Sequence, residues 1–132
     1  MKSKLLPCAA AFALLAIGSE AGAADFDGSK PLICATVDAH ACDPGETCLR
    51  GLPDFIGMPQ FMRIDFAKKT VAGPKRTTQI RYIDTSADQI LMQGTELGYA
   101  WTVVLDKTDG AMSMTLVSRD DAFTVFGYCT PP

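Results

Sequence analysis

The chain has 132 residues, a formal net charge of −3 and a hydrophobic fraction of 48%. These values describe one small globular domain, without room for a second hydrophobic core, and they exclude a disordered chain, which would contain few aliphatic residues. The acidic balance argues against a nucleic-acid partner, because phosphate binding requires an excess of Lys and Arg.

The first 23 residues have the three parts of a secretory signal peptide. Two lysines lie within Met1–Lys4, an apolar run occupies Leu5–Ile17, and Ala21–Ala23 supplies the small residues before a cleavage site. A helix that crosses a bilayer needs about 20 apolar residues, more than this run contains. We predict cleavage after residue 23, a single β domain over 24–132 without a transmembrane segment, and a periplasmic or secreted location.

The cysteine in the signal peptide leaves with it, so the mature chain retains an even number. These cysteines are Cys34, Cys42, Cys48 and Cys129. Four cysteines in a small exported chain indicate two disulfides, with three possible connectivities. A bond between Cys42 and Cys48 is favoured because Asp43–Glu46 is turn-forming. Cys34 and Cys129 then join the first predicted strand to the last.

Apolar and polar residues alternate along most of the mature chain, which predicts half-buried β-strands. Seven or eight short strands are expected, and the clearest are Leu32–Val37, Phe61–Phe66, Thr77–Asp84, Gln89–Gln93, Tyr99–Asp106, Ala111–Leu116 and Phe123–Tyr128. Asp109 and Gly110 form a typical hairpin connection, and further turns are predicted at Gly94–Gly98 and Ser118–Asp121.

Short hairpin connections predict antiparallel strands, and a covalent bond between the first and last strands suggests that the sheet curls. The sequence therefore predicts an all-β fold, a small antiparallel β-barrel or sandwich stapled by disulfides. Because strands of about six residues enclose little volume, we expect a solid core and not a large ligand cavity. The stretch Cys34–Pro59 is expected to be the longest irregular segment.

Four segments form a recognisable combination: Cys42–Cys48, Pro59–Phe66, Gln93–Glu96 with Trp101, and Phe123–Thr130. The combination resembles small exported β-proteins of Gram-negative bacteria that carry no assigned activity. This resemblance implies a periplasmic location and supplies no mechanism.

A second resemblance rests on Arg81-Tyr82 and on Trp101. Here the chain is similar to the periplasmic inhibitors of c-type lysozyme, which are small disulfide-tied β-barrels. Thr78-Gln79 stands where that family shows Ser-Gly, so the inhibitory loop of the family is not reproduced.

Candidate catalytic and metal sites are few. Asp38, His40 and Cys42 could combine a thiol nucleophile with a base, but an exported cysteine with a partner six residues away is expected to be oxidised. The chain has no Cys-x-x-Cys pair for zinc. Asp25–Gly28 resembles the start of a calcium loop without its closing glutamate. We expect no metal and no cofactor.

Acidic side chains near predicted turns offer an alternative catalytic site. Asp84, Asp88 and Glu96 could supply a carboxylate pair for general acid–base catalysis in a small envelope hydrolase. Surface acids at strand ends are common in proteins without activity. We therefore favour a non-catalytic protein over an enzyme.

Between Gln60 and Ile83 the sequence holds six basic residues against the single acid Asp65. We define the basic band as Arg63, Lys75, Arg76 and Arg81. The alternation directs Arg63 and Arg81 away from the core, so the basic band could attract an anionic partner. The alternative is a solvated face that protects an edge strand from aggregation.

The sequence thus favours a binding or inhibitory module of the cell envelope. It would act on another envelope protein or an anionic envelope component, through the basic band or through the loop closed by Cys42 and Cys48. A small envelope hydrolase and an envelope structural protein remain as alternatives.

Overall fold

The computed structural model describes residues 25–132, so the predicted signal peptide lies outside the described residues. The described chain forms ten strands and a short 3₁₀ helix over Pro53–Ile56. The strands are β1 (Leu32–Cys42), β2 (Leu49–Gly51), β3 (Phe61–Asp65), β4 (Thr70–Ala72), β5 (Thr77–Gln79), β6 (Tyr82–Thr85), β7 (Gln89–Glu96), β8 (Tyr99–Asp106), β9 (Ala111–Val117) and β10 (Ala122–Thr130).

The strands form one antiparallel sheet in the order β5-β4-β3-β1-β10-β9-β8-β7-β6, and β2 pairs with β1 beside β3. The two end strands, β5 and β6, are consecutive in the chain and are separated only by Ile80 and Arg81. The Ile80 N–H donates to the Lys69 carbonyl at 2.8 Å, and the Arg81 N–H donates to the Gln93 carbonyl at 2.8 Å. Two neighbouring residues thus bond to opposite ends of the sheet, which curls into a half-barrel.

Alternate side chains of the strands point into the curled sheet and form the core. The largest fully buried side chains are Leu32, Ile64, Ile90, Met92, Leu105, Met112, Val103, Val125 and Cys34. Burial of an aliphatic side chain of this size stabilises the fold by about 1.5–3 kcal/mol. The antiparallel β-fold predicted from the alternation is confirmed, with ten strands in place of seven or eight.

Both predicted disulfides are present. Cys34 and Cys129 are direct cross-strand partners on β1 and β10, and both are buried. Cys42, the last residue of β1, is bonded to Cys48, one residue before β2. The first bond joins strands that are adjacent in the sheet but 95 residues apart in sequence.

The segment predicted as irregular, Cys34–Pro59, is partly regular. β1 continues to Cys42 because it pairs with β10 along its length. The pairing register shifts between Thr36 and Asp38, which marks a β-bulge. A bulge moves the inward face by one residue, and the period-two pattern in the sequence therefore stops at Val37.

The predicted strand Thr77–Asp84 is interrupted, because its first part pairs with β4 and its second part pairs with β7. β4 and β2 were not predicted, since three residues are too few to show an alternation. β7 continues to Glu96, and the turn is confined to Leu97 and Gly98, both with positive φ.

Candidate functional site

The half-barrel has the packed core expected from the sequence, but the side chains do not fill the whole of its interior. One end holds a partly open cleft of about 630 Å³, within the range of about 300–1,000 Å³ typical of small-molecule sites. The strands of the half-barrel supply its walls, and its mouth lies among the 3₁₀ helix, the β4–β5 turn and the β7–β8 turn. We call this space the cleft.

The walls of the cleft are apolar. They include Met62 from β3, Val103 from β8, and Met114 and Leu116 from β9. These residues occupy inward positions of their strands, where the alternation places apolar side chains. Trp101 also lines the cleft and is only 2% exposed.

Two aromatic side chains in the cleft have their polar atoms bonded within the protein. The Trp101 Nε1–H donates to Thr78 Oγ1 at 3.4 Å, and the Tyr99 hydroxyl donates to Asp121 Oδ2 at 3.1 Å. The Tyr99 ring packs against the Phe123 ring, with 5.7 Å between centroids. Because these polar atoms are already engaged, the rings offer the cleft mainly their apolar surfaces.

The carboxylate of Asp121 has a second effect on Tyr99. Its hydrogen bond to the hydroxyl, with desolvation and its negative charge as further causes, raises the pKa of Tyr99 above the ordinary value. The hydroxyl therefore stays protonated and keeps donating throughout the neutral range. Asp121 is itself held by the Ser118 hydroxyl, which donates to Asp121 Oδ1, so the β9–β10 turn fixes the ring orientation.

Thr78 connects the two edges of the curled sheet beside the cleft. Its hydroxyl accepts the bond from Trp101 and donates to the Thr95 carbonyl at 3.2 Å. Thr78 lies on β5 and Thr95 on β7. A single hydroxyl thus links both strands to the indole ring.

Four charged side chains line the cleft: Asp54, Lys75, Arg76 and Glu96. Lys75 and Arg76 are exposed on the β4–β5 turn, which is closed by the bond from the Gly73 N–H to the Arg76 carbonyl at 2.8 Å. Within residues 25–132, no carboxylate lies within 4.0 Å of the charged nitrogens of Lys75 or Arg76.

The structure brings only half of the basic band to the cleft. Lys75 and Arg76 line it, whereas Arg63 and Arg81 are exposed outside it. Arg81 is two positions after the last residue of β5 and immediately before β6, away from the β4–β5 turn. Arg81 is five positions after Arg76, which corresponds to about 17 Å along extended chain.

The loop closed by Cys42 and Cys48 leads into a short exposed segment. Leu49 and Leu52 are 67% and 69% exposed, and Phe55 is 48% exposed. Three residue pairs hold β2 against β1, so the disulfide and the strand pairing restrain this apolar surface together.

The residues of the candidate thiol site, Asp38, His40 and Cys42, do not form a thiol nucleophile with a base. Cys42 is in a disulfide and has no free thiol. Asp38 lies 3.5 Å from His40 Nε2 and receives a hydrogen bond of 2.9 Å from Arg50 Nε. The Arg50 guanidinium lowers the pKa of Asp38 below its ordinary value. Asp38 and Arg50 therefore form an ion pair between β1 and β2, and His40 lies beside it.

The three candidate carboxylates, Asp84, Asp88 and Glu96, do not form one cluster. Asp84 pairs with Leu91 near the start of β7, whereas Glu96 ends that strand and lines the cleft. Glu96 is five positions after Leu91 in the strand, a distance of about 17 Å along extended chain. Asp88 lies in the turn before β7, so Glu96 is separated from the other two acids.

Residues 25–132 contain no group of three or more His, Cys, Asp or Glu side chains that could hold a metal ion. In the same residues, no helix is both long enough and apolar enough to span a bilayer.

Comparisons with known proteins add no relative. No family model matches the chain, and no curated protein or solved structure is similar to it. The resemblances drawn from the sequence, to exported β-proteins and to lysozyme inhibitors, therefore stay predictions.

Proposed function

We propose that the protein is a non-catalytic binding module of the cell envelope that receives an apolar molecule in the cleft. The cleft carries this proposal, because its volume of about 630 Å³ is bounded by apolar side chains of a strand framework. Ligand sites are typically concave, mostly apolar and largely pre-formed, with a few polar groups that orient the ligand. The charged groups here are at Asp54, Lys75, Arg76 and Glu96.

An envelope location is part of the proposal. It is supported by the signal-peptide pattern at the start of the sequence and by two disulfides, which are compatible with an oxidising compartment. A binding module that meets apolar molecules outside the cytoplasm needs a scaffold that stays folded without cytoplasmic chaperones. The two covalent bonds provide such restraint.

The affinity of a ligand for the cleft should depend on the length of the ligand's alkyl chain. Each methylene group removed from water contributes about 0.8 kcal/mol, so two additional methylenes should tighten binding about 14-fold until the cleft is full. A ligand that touched only the outer surface would show a weaker dependence on chain length.

Trp101 provides the measurement, because it is the single tryptophan of the chain and lines the cleft. The mature, oxidised protein is titrated with hexanol, octanol and decanol while its fluorescence is recorded. We expect a saturable change in the Trp101 emission and a Kd that falls with chain length. An emission that does not respond, or a Kd independent of chain length, would contradict the proposal.

Two adjacent residues of β9 give a matched pair of variants. Leu116 lines the cleft, whereas Val117 is exposed outside it. Leu116→Phe should occupy part of the cleft and weaken decanol binding, and Val117→Phe should leave the Kd unchanged. Equal effects of the two substitutions would place the ligand elsewhere.

A second candidate is a protein-binding or inhibitory module that uses the disulfide-closed loop. The observation that favours it is the exposure of Leu49 and Leu52, since neighbouring exposed apolar side chains mark surfaces that bind a partner. The oxidised protein is tested for inhibition of c-type lysozymes, with Leu49→Ser/Leu52→Ser as the variant. Lack of inhibition by the native protein would remove the lysozyme-inhibitor form of this candidate.

A further inference from the structure

We propose that the ligand of the cleft is an anionic amphiphile, with a carboxylate or phosphate head group held by Lys75 and Arg76. This inference rests on the proposed function, because the apolar part of the ligand must enter the cleft. In this inference, the two cationic residues at the mouth of the cleft bind the same head group.

Lys75 and Arg76 are adjacent in sequence on a turn of restrained shape. Pro74 precedes them, and the Gly73 N–H donates to the Arg76 carbonyl at 2.8 Å. Both residues line the cleft and are also exposed, so an apolar chain inside the cleft would leave its polar end within their reach. Arg76 can bind a carboxylate or phosphate through two parallel hydrogen bonds, and Lys75 adds a second positive charge.

The charges of Lys75 and Arg76 are not neutralised by a close ion pair in the described part of the chain. Arg50 provides a contrast, since its guanidinium already binds Asp38 at 2.9 Å. A head group at the cleft mouth therefore has no intramolecular salt bridge to displace at Lys75 or Arg76.

The two acids at the cleft favour a particular position for the head group. Asp54 belongs to the 3₁₀ helix and Glu96 to the end of β7, whereas the two cations share one turn. A single anion can meet both Lys75 and Arg76, and repulsion from Asp54 and Glu96 directs it toward that turn. A cationic head group would have to approach the same mouth against two adjacent positive charges.

Four ligands with the same alkyl chain test the inference: decanoic acid, decyl phosphate, decanol and decyltrimethylammonium. Each is kept below the concentration at which it forms micelles, and Kd is measured through Trp101 fluorescence at low ionic strength. We expect at least one anion to bind three- to tenfold more tightly than decanol, as for partly exposed charge pairs, with the cation weakest. The comparison of the Kd values for decanoic acid and decyl phosphate shows whether the cleft prefers a fatty-acid carboxylate or a lipid phosphate.

Two double variants with the same change in net charge distinguish direct binding of the head group from a general attraction between the anion and the positive charges of the protein. Lys75→Ser/Arg76→Ser should abolish the preference for the anion, so that the ratio of the decanol Kd to the anion Kd falls to about 1. Arg63→Ser/Arg81→Ser removes two cations of the basic band outside the cleft and should retain the preference for the anion. Equal losses in the two variants would overturn the assignment to Lys75 and Arg76.

The neutral ligand distinguishes failure of the inference from failure of the proposed function. If decanol binds as tightly as both anions, or if decyltrimethylammonium binds most tightly, the anionic head group is wrong while the cleft remains a binding site. If none of the four ligands binds, the proposed function itself fails.

Discussion

Gly94 and Trp101 face each other across β7 and β8, and the indole ring occupies the space that a side chain at position 94 would need. A β-carbon at position 94 would also lie 2.6 Å from the Gln79 carbonyl oxygen. Glycine therefore permits two contacts at once: the ring packs over β7, and β5 approaches β7 closely. The position of the indole at the cleft depends on this missing side chain.

Gly94→Ala should consequently displace the Trp101 ring and destabilise the protein. Overpacking of this kind costs about 1–3 kcal/mol, measurable by urea unfolding, and the Trp101 emission should shift because the ring moves. Gly45→Ala is the control, since Gly45 has a φ of 78° but no atom within 4 Å of an added β-carbon. The control should lose about 1 kcal/mol from backbone strain with unchanged emission. A fully stable Gly94→Ala protein with native emission would contradict this relationship.

The disulfides should differ in their contribution to stability. In the loop-entropy model, the Cys34–Cys129 bond contributes about 4.7 kcal/mol and the Cys42–Cys48 bond about 2.4 kcal/mol. We therefore expect Cys34→Ala/Cys129→Ala to lower the Tm more than Cys42→Ala/Cys48→Ala. Thermal unfolding followed by circular dichroism makes the comparison. Equal decreases, or a larger effect of the short loop, would contradict the model for this chain.

Tyr99 should show a dependence on alkaline pH. Its pKa is raised mainly by the hydrogen bond to Asp121, so the folded protein retains this proton more strongly than the unfolded chain does. The associated stability is present below the ordinary tyrosine pKa of about 10 and is lost as the pH rises through the folded value. Asp121→Asn should bring the Tyr99 pKa closer to 10.

Absorbance of tyrosinate during an alkaline titration measures this effect. The Asp121→Asn substitution should move the contribution of Tyr99 to this absorbance change to lower pH. Identical titration curves for the native and substituted proteins would show that Asp121 does not control Tyr99.

Much of the fold could be predicted because most of the long strands alternate regularly, although the pattern in β1 stops at Val37. In β8 and β9, the residues that line the cleft, among them Trp101, Val103 and Met114, occupy the predicted inward positions. The parity of the cysteines and the turn after Cys42 also favoured the pairing found. These signals can be read from the sequence without knowledge of the strand order.

The cleft could not be predicted because its volume depends on how distant strands separate. β5 bonds to β4, and β6 bonds to β7, although the sequence from Thr77 to Asp84 suggests one uninterrupted strand. A weak signal was available in Gly94, because a glycine within a strand often marks a close backbone approach.

The hydroxyl of Thr78 offers the last test, since it joins β5, β7 and the indole ring. Thr78→Val keeps the shape of the side chain but removes the acceptor for Trp101 and the donor to Thr95. Loss of the partner of a buried N–H costs about 1–3 kcal/mol. We expect lower stability in urea unfolding and faster hydrogen exchange at the Trp101 indole, because water gains access where β5 separates from β7.

Thr77→Val is the matched control, because Thr77 is an exposed neighbour on the same strand. It makes the same chemical change without touching the indole, and surface substitutions usually alter stability by less than about 0.5 kcal/mol. NMR of the single indole N–H follows both variants. If Thr78→Val and Thr77→Val leave the exchange rate equally slow, the Thr78 hydroxyl does not hold the two edges together, and apolar packing around Trp101 must be sufficient to keep the end of the half-barrel in place.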